Sequence, residues 1–225
     1  EKSNFLILSD NHNSVNGIRE YCKGKKANTQ YIPVLPDDLQ IDGYALSQAF
    51  ESVATCDSNL FAFPAQSNVT GVKHDLNWIK KAQEKGIDVL LDAAAFVPTS
   101  SLDLSIIQPE FVSASFYKIF GYPTGLGCLL IKKSVFNKLQ KPWFAGGTVT
   151  YVSVIDEQHQ LMNNHERFED GTINYVGIPA IKLGLEFIES IGLERINKRV
   201  LALIETLYKN LLLLRHDNGK PLLKI

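Results

Sequence analysis

The sequence predicts an α/β protein whose mostly parallel sheet is flanked by helices. Three observations carry that prediction. Short apolar runs rich in β-branched and aromatic residues alternate with segments of helical period, the rhythm of repeated β-α-β units. The run at 87–91 is apolar at nearly every position, as a strand covered on both faces must be. A chain of 225 residues that is 45% hydrophobic and 21% charged can bury a real core, and that composition excludes a disordered chain.

Taken in order, residues 5–9 read as the first strand. Residues 15–23 have helical period, and Gly24 ends them. Residues 30–35 form the next strand, halted by Pro36. A helix follows over 44–53, a strand over 60–63, then a helix over 75–84 with Asp75 as N-cap and Gly86 as its close. Strands at 87–91, 111–115 and 127–131 complete the sheet, with right-handed crossovers. Past Pro142 the texture changes. Residues 145–148 read as a loop and 149–155 as strand-like. Helices follow over 178–191 and 193–214, the second striped by Val200, Leu203, Ile204, Leu207 and Leu211. The expected division is a large domain over 1–175 and, over 176–225, helices leading into a smaller carboxyl-terminal domain.

A net charge of −1 argues against a nucleic-acid or anionic-membrane partner. No apolar run approaches the ~20 residues of a membrane span. Cys22, Cys56 and Cys128 are odd in number and far apart, which fits neither a disulfide framework nor a zinc site. A reducing, cytoplasmic setting is expected. The chain opens at Glu1 and stops in a strand-like run at 221–225, so a piece of a longer protein is also expected.

In an open parallel sheet, ligands sit outside the carboxyl ends of the strands. The polar residues there are Asp10, Asn11, His12 and Asn13 after the first strand, and Gln66, Ser67 and Asn68 after the third. Asp92 follows the fourth strand, and Ser115, Phe116, Tyr117 and Lys118 follow the fifth. A carboxylate after an apolar strand needs a partner, so Asp92 either holds a cation such as a protonated heteroaromatic nitrogen or caps the next turn. An amine in a partly dry crevice can form a Schiff base, which makes Lys118 a candidate against the ordinary solvated lysine. Ser115-x-x-Lys118 also matches the Ser-x-x-Lys of penicillin-binding enzymes. That motif should open a helix, whereas here a strand precedes it and Gly-Tyr-Pro follows. No Ser-Asp-Asn or Lys-Thr-Gly accompanies it either. His12, in a polar turn, is either a cap or a functional group. The remaining histidines show no metal-ligand spacing. Gly146-Gly147-Thr148 offers backbone N–H groups and a hydroxyl suited to a phosphate, although most such triplets are turns.

As an ordered set these motifs stop being generic. Asn-His, Ser-Asn-x-x-Gly, Leu-Asp-Ala-Ala, Ser-Phe-Tyr-Lys, Gly-Gly-Thr and Arg-Phe-Glu-Asp-Gly-Thr together resemble the class V aminotransferase-like, pyridoxal-phosphate-dependent enzymes. They look closest to the amino-terminal, cysteine-desulfurase-like domain of the molybdenum cofactor sulfurases. The most specific stretches are 115–127 and 167–172, and the resemblance runs from about Asn4 to Ile225. It implies a fold type I large domain binding pyridoxal 5'-phosphate, with Lys118 as the Schiff-base lysine and Asp92 on the pyridine nitrogen. His12 would stack on the ring and help move protons. Asn68 would bond near the phenolic oxygen, and Ser115 would hold the phosphate. Tyr117 stands where many cysteine desulfurases have His. Gly147 and Thr148 would reach the phosphate of a partner subunit, which implies a homodimer. Arg167 would lie near the active site.

The implied reaction removes sulfur from L-cysteine as a persulfide and delivers it to the molybdenum cofactor on another domain. Two departures stand out. Ala95 replaces a Gln that many desulfurases place against the phenolic oxygen. None of the three cysteines matches the sulfur-accepting one, which would lie outside this chain, so the chain alone is expected to be inactive. A selenocysteine lyase, an epimerase or an aminotransferase of the same class, and a non-catalytic relative, are the alternatives.

Overall fold

The computed structural model describes residues 3–53, 58–122 and 124–223. Among these, six strands form one sheet: β1 (Ser3–Leu8), β2 (Asn28–Ile32), β3 (Ser58–Pro64), β4 (Asp88–Asp92), β5 (Phe111–Ser115) and β6 (Gly127–Ile131). Their order is β2-β1-β3-β4-β5-β6. The first five run parallel, and β6 pairs antiparallel with β5. The sheet is thus mostly parallel, as expected.

Strand periodicity sends successive side chains of β1 to opposite faces. Phe5 and Ile7 join Val15 and Ala62 beneath helices α1 (Asn13–Asn16) and α2 (Ile18–Gly24). Leu6 and Leu8 face the other way. They join Phe61, Phe63, Val89 and Leu91 under α3 (Gly43–Val53) and α4 (Asn77–Gln83), which contribute Leu46, Phe50 and Ile79. Each such side chain contributes ~1.5–3 kcal/mol of burial. Phe50 meets Phe61 edge-on with ring centroids 5.3 Å apart.

Several local expectations are corrected. The helix expected over 15–23 is two short helices separated by Gly17, the poorest helix former after proline. Gly24 lies inside α2. The left-handed residue that stops it is Lys26, at φ 57°. The amide of Ala27 donates to Cys22 and that of Lys26 to Lys23, which is a Schellman closure. Gly86 closes α4 in the same pattern at φ 71°, as expected. The second strand ends at Ile32, because Pro33 already removes the amide the ladder needs. Asp75 is not the N-cap of α4, which is Leu76, but its carboxylate does accept the Asn77 amide.

Beyond the sheet, the strand-like 149–155 resolves into a hairpin of β7 (Val149–Val152) and β8 (His159–Leu161). Helix α6 (Ile178–Ile191) has the expected bounds, and α7 (Leu193–Leu213) ends one residue short of them. An unexpected helix, α5 (Phe116–Phe120), sits between β5 and β6. Its Phe120 ring packs so tightly on Gly184 of α6 that a Cβ there would lie 2.3 Å from it. Asn197 of α7 donates to the Thr99 carbonyl at 2.7 Å, tying α7 to the loop after β4.

Candidate active site

The strand order makes β1, β3, β4 and β5 consecutive neighbours. The segments leaving their carboxyl ends therefore share one edge of the sheet, and they carry His12, Asn68, Asp92, Ser115 and Lys118. The register is continuous there. Pro64 lies beside Asp92, Asp92 beside Ser113, and the Ala65 and Ala93 amides carry the ladder on to the Asp92 and Ser113 carbonyls.

Asp92 closes β4 and is 8% exposed. Its Oδ1 accepts the Ala94 amide at 3.0 Å and the Ser113 hydroxyl at 3.2 Å. Oδ2 has no hydrogen-bond partner among the described residues. Oδ1 thus takes the turn-capping role, and Oδ2 is left over from it. Lys118 sits half-buried on α5, and among the described residues its amine makes no hydrogen bond or ion pair. Ser115 is the N-cap of α5 without a capping side-chain bond, so its hydroxyl is uncommitted. Ser115 does open a helix, which removes one reason for setting the Ser-x-x-Lys motif aside. The absence of Ser-Asp-Asn and Lys-Thr-Gly still stands against that motif. Tyr117 is 43% exposed beside it.

His12 is the N-cap of α1. Its Nδ1 receives the Ser14 amide at 3.2 Å and lies 2.9 Å from the Ser14 hydroxyl. With Nδ1 accepting, the ring proton belongs on Nε2. Capping fixes the imidazole while leaving its outer edge free. Asn68 is exposed at the tip of a loop braced by Ser67, whose buried oxygen accepts the Val69 and Thr70 amides.

Gly147 and Thr148 lie on a separate loop. Thr148 is fully buried, and its hydroxyl donates to the Ala145 carbonyl and accepts the Ala145 amide. That hydroxyl is committed to its own turn. Gly147, at φ 81°, packs where a Cβ would lie 3.1 Å from the Gly171 carbonyl, and Gly171 donates to Gly146. The Gly-Gly-Thr and Arg-Phe-Glu-Asp-Gly-Thr segments therefore meet. Next to Gly171, Thr172 is exposed, and its hydroxyl has no hydrogen-bond partner among the described residues. Arg167 lies between the Phe136 and Phe168 rings, 4.2 and 4.8 Å from their centroids, and donates to the Phe136 and Leu139 carbonyls.

Cys22 and Cys128 are free thiols, and burial pushes both above the ordinary thiol range. Neither is an activated nucleophile. Cys56 lies outside the described residues. No group of three or more metal-ligating side chains occurs among the described residues. Sequence reading missed the buried pair of Asp10 and His74 at this same edge, because the two are 64 positions apart.

The family model for class-V aminotransferases matches residues 1–217. This chain belongs to the class-V aminotransferase family. Within that family it is 40% identical over 233 residues to a molybdenum cofactor sulfurase of Bos taurus, covering 98% of this chain and 26% of the relative. The chain thus spans about a quarter of the length of that curated relative. Among solved structures, it resembles the apo cysteine desulfurase of Thermococcus onnurineus NA1 at 25% identity and a TM-score of 0.79, over 94% of this chain and 52% of the other. A C-DES variant with glycine covalently linked to its PLP cofactor shares the fold at 19% identity and a TM-score of 0.79, over 96% and 57%. The class-V aminotransferase assignment agrees with the mostly parallel sheet.

Proposed function

We propose that this chain is the pyridoxal-phosphate-binding part of an enzyme that takes sulfur from L-cysteine and delivers it, as a persulfide, for sulfuration of the molybdenum cofactor. The observation that carries this reading is that an uncommitted lysine amine and an uncommitted oxygen of a largely buried carboxylate stand at adjacent strand ends of a class-V aminotransferase fold. The 40% identity to a molybdenum cofactor sulfurase supports the choice of acceptor.

The donor set fits the cofactor. Asp92 Oδ2, without a partner on a largely buried side chain, suits a protonated pyridine nitrogen, while Oδ1 is anchored by Ala94 and Ser113. Lys118 Nζ would hold the cofactor covalently, and the freed amine would take the proton from the substrate Cα. His12 would lie against the ring with Nε2–H outward, Asn68 would donate near the phenolic oxygen, and the Ser115 hydroxyl would meet the phosphate. Tyr117 would flank the lysine. When bound, pyridoxal phosphate supplies an electron sink at the substrate Cα. Gly147 would present its backbone amide to the phosphate of a second subunit, with Thr148 shaping the turn and Thr172 offering the exposed hydroxyl. That makes a homodimer the expected assembly.

Residues 1–175 would then form the large domain, and 176–225 would lead into a smaller one. The raised thiols of Cys22 and Cys128 support a sulfur-accepting cysteine elsewhere in the full-length protein. Free cysteines, with no described helix long and apolar enough to cross a membrane, support a cytoplasmic setting. The test is alanine release from L-cysteine by the full-length protein loaded with pyridoxal phosphate. Lys118→Ala should abolish both the visible absorption band and turnover, and undiminished alanine release would overturn the proposal.

A further inference from the structure

At the carboxyl edge of the sheet, one ionisable pair is taken out of water. His74 Nε2–H donates to Asp10 Oδ2 at 3.0 Å, and the two side chains are 0% and 5% exposed. Such a pair is a costly way to fill space, since apolar side chains of similar volume are often as stable or more so. This one is also incompletely satisfied. Asp10 Oδ1 and His74 Nδ1 are both buried without a partner. The strands beneath it are apolar and fully packed, so the sheet itself does not require the pair.

Its position explains it. Asp10 stands two residues before His12, and His74 closes the loop that carries Asn68. Asp10 is the hub of the contact between the two. Its carboxylate holds His74, and its backbone carbonyl accepts the hydroxyl of Ser67, immediately before Asn68, at 3.2 Å. His74 in turn returns its amide to Ala65 at the end of β3. Asn11 finishes the brace by donating to the Leu8 and Ala62 carbonyls. Two loops from neighbouring strands are thereby locked to each other through one aspartate.

We propose that Asp10 and His74 are positioning residues: their buried hydrogen bond clamps the His12 turn to the Asn68 loop and so fixes the two side chains that would meet opposite parts of the cofactor ring. This rests on the proposed cofactor site and adds residues to it. Loops carry the reacting groups but are mobile unless braced, and a fraction of an ångström in the brace is felt at the group it supports.

The test uses the full-length protein with His74→Ala and His74→Gln. A glutamine amide can reach Asp10 from where Nε2 stands, so it should restore what alanine loses. Losing a buried hydrogen bond to a charged group is expected to weaken pyridoxal phosphate binding about tenfold and to diminish the circular dichroism of its visible band. His74→Gln should stay close to the parent in both. In the protein without cofactor, His74→Ala should speed amide exchange in the 10–13 and 66–74 segments together, and His74→Gln should not. Unchanged exchange, exchange faster in only one segment, or equal loss in both variants would overturn the clamp. If His74→Ala does not fold, Ser67→Ala breaks the second link and should speed exchange in the same two segments. A parent protein that gives no visible band with pyridoxal phosphate would overturn the proposed cofactor site, while the exchange measurement still decides the clamp.

Discussion

At the scale of the residue, function depends on which polar atoms folding leaves uncommitted. Asp92 spends one oxygen on Ala94 and Ser113 and keeps the other. Thr148, which looks equally available in sequence, spends its whole hydroxyl on Ala145. Nothing local separates the two cases, because the difference lies in which turn each residue closes. The cysteines obey the same logic. Burial disfavours the thiolate of Cys22 and Cys128, so less of it is present at any given pH than in an open thiol. Alkylation of the native protein by iodoacetamide should therefore rise at a higher pH than that of free cysteine, and mass spectrometry of Cys22 and Cys128 peptides across a pH series reads this directly. Either cysteine modified as fast as free cysteine near neutral pH would show that its microenvironment is not the partly buried one described.

At the scale of the element, caps and close approaches decide geometry. Helices α2 and α4 end in the same Schellman pattern, but α4 puts Gly86 in the left-handed position and α2 puts Lys26 there. A side chain pays for that conformation where glycine does not. Lys26→Gly should therefore stabilise the protein by about 0.5–1 kcal/mol, measured as a higher urea midpoint with an unchanged slope. A lower midpoint would mean that the lysine side chain contributes more than its strain costs. The pattern of glycines suggested Gly24 as the stop, and the geometry moved the stop two residues on. Helix α5 was equally hard to read. Five residues are too few for helical periodicity, and α5 is held by Phe120 seated on Gly184 of a helix distant in sequence.

At the scale of the whole molecule, the apolar stripe of α7 is the clearest mismatch between pattern and burial. Leu203, Ile204 and Leu207 recur at helical spacing, as if for a core, yet each is more than half exposed here. Leu183 and Phe187 of α6 are exposed likewise. Isolated soluble chains rarely expose so many large apolar side chains on two successive helices. The 225-residue chain on its own should therefore bind anilinonaphthalene sulfonate and self-associate at micromolar concentration, which light scattering would detect. A monomer that leaves the dye dark would mean that α7 folds back onto the sheet.

By itself the sequence determined the layered α/β architecture, the bounds of α6 and β6, and the set of polar residues that follow the strands. Those are local properties: periodicity, β-branched runs, and the rule that ligands meet a parallel sheet at its carboxyl edge. Only the tertiary structure decided that β1, β3, β4 and β5 are neighbours, that Asp92 keeps one oxygen free while Thr148 keeps none, and that Asp10 finds His74 across 64 positions. The physical reason is that hydrogen bonding and burial are settled between segments. A polar side chain becomes available for chemistry when the chain around it has left it without a partner, and no reading of neighbours in sequence can count partners that arrive from elsewhere in the fold.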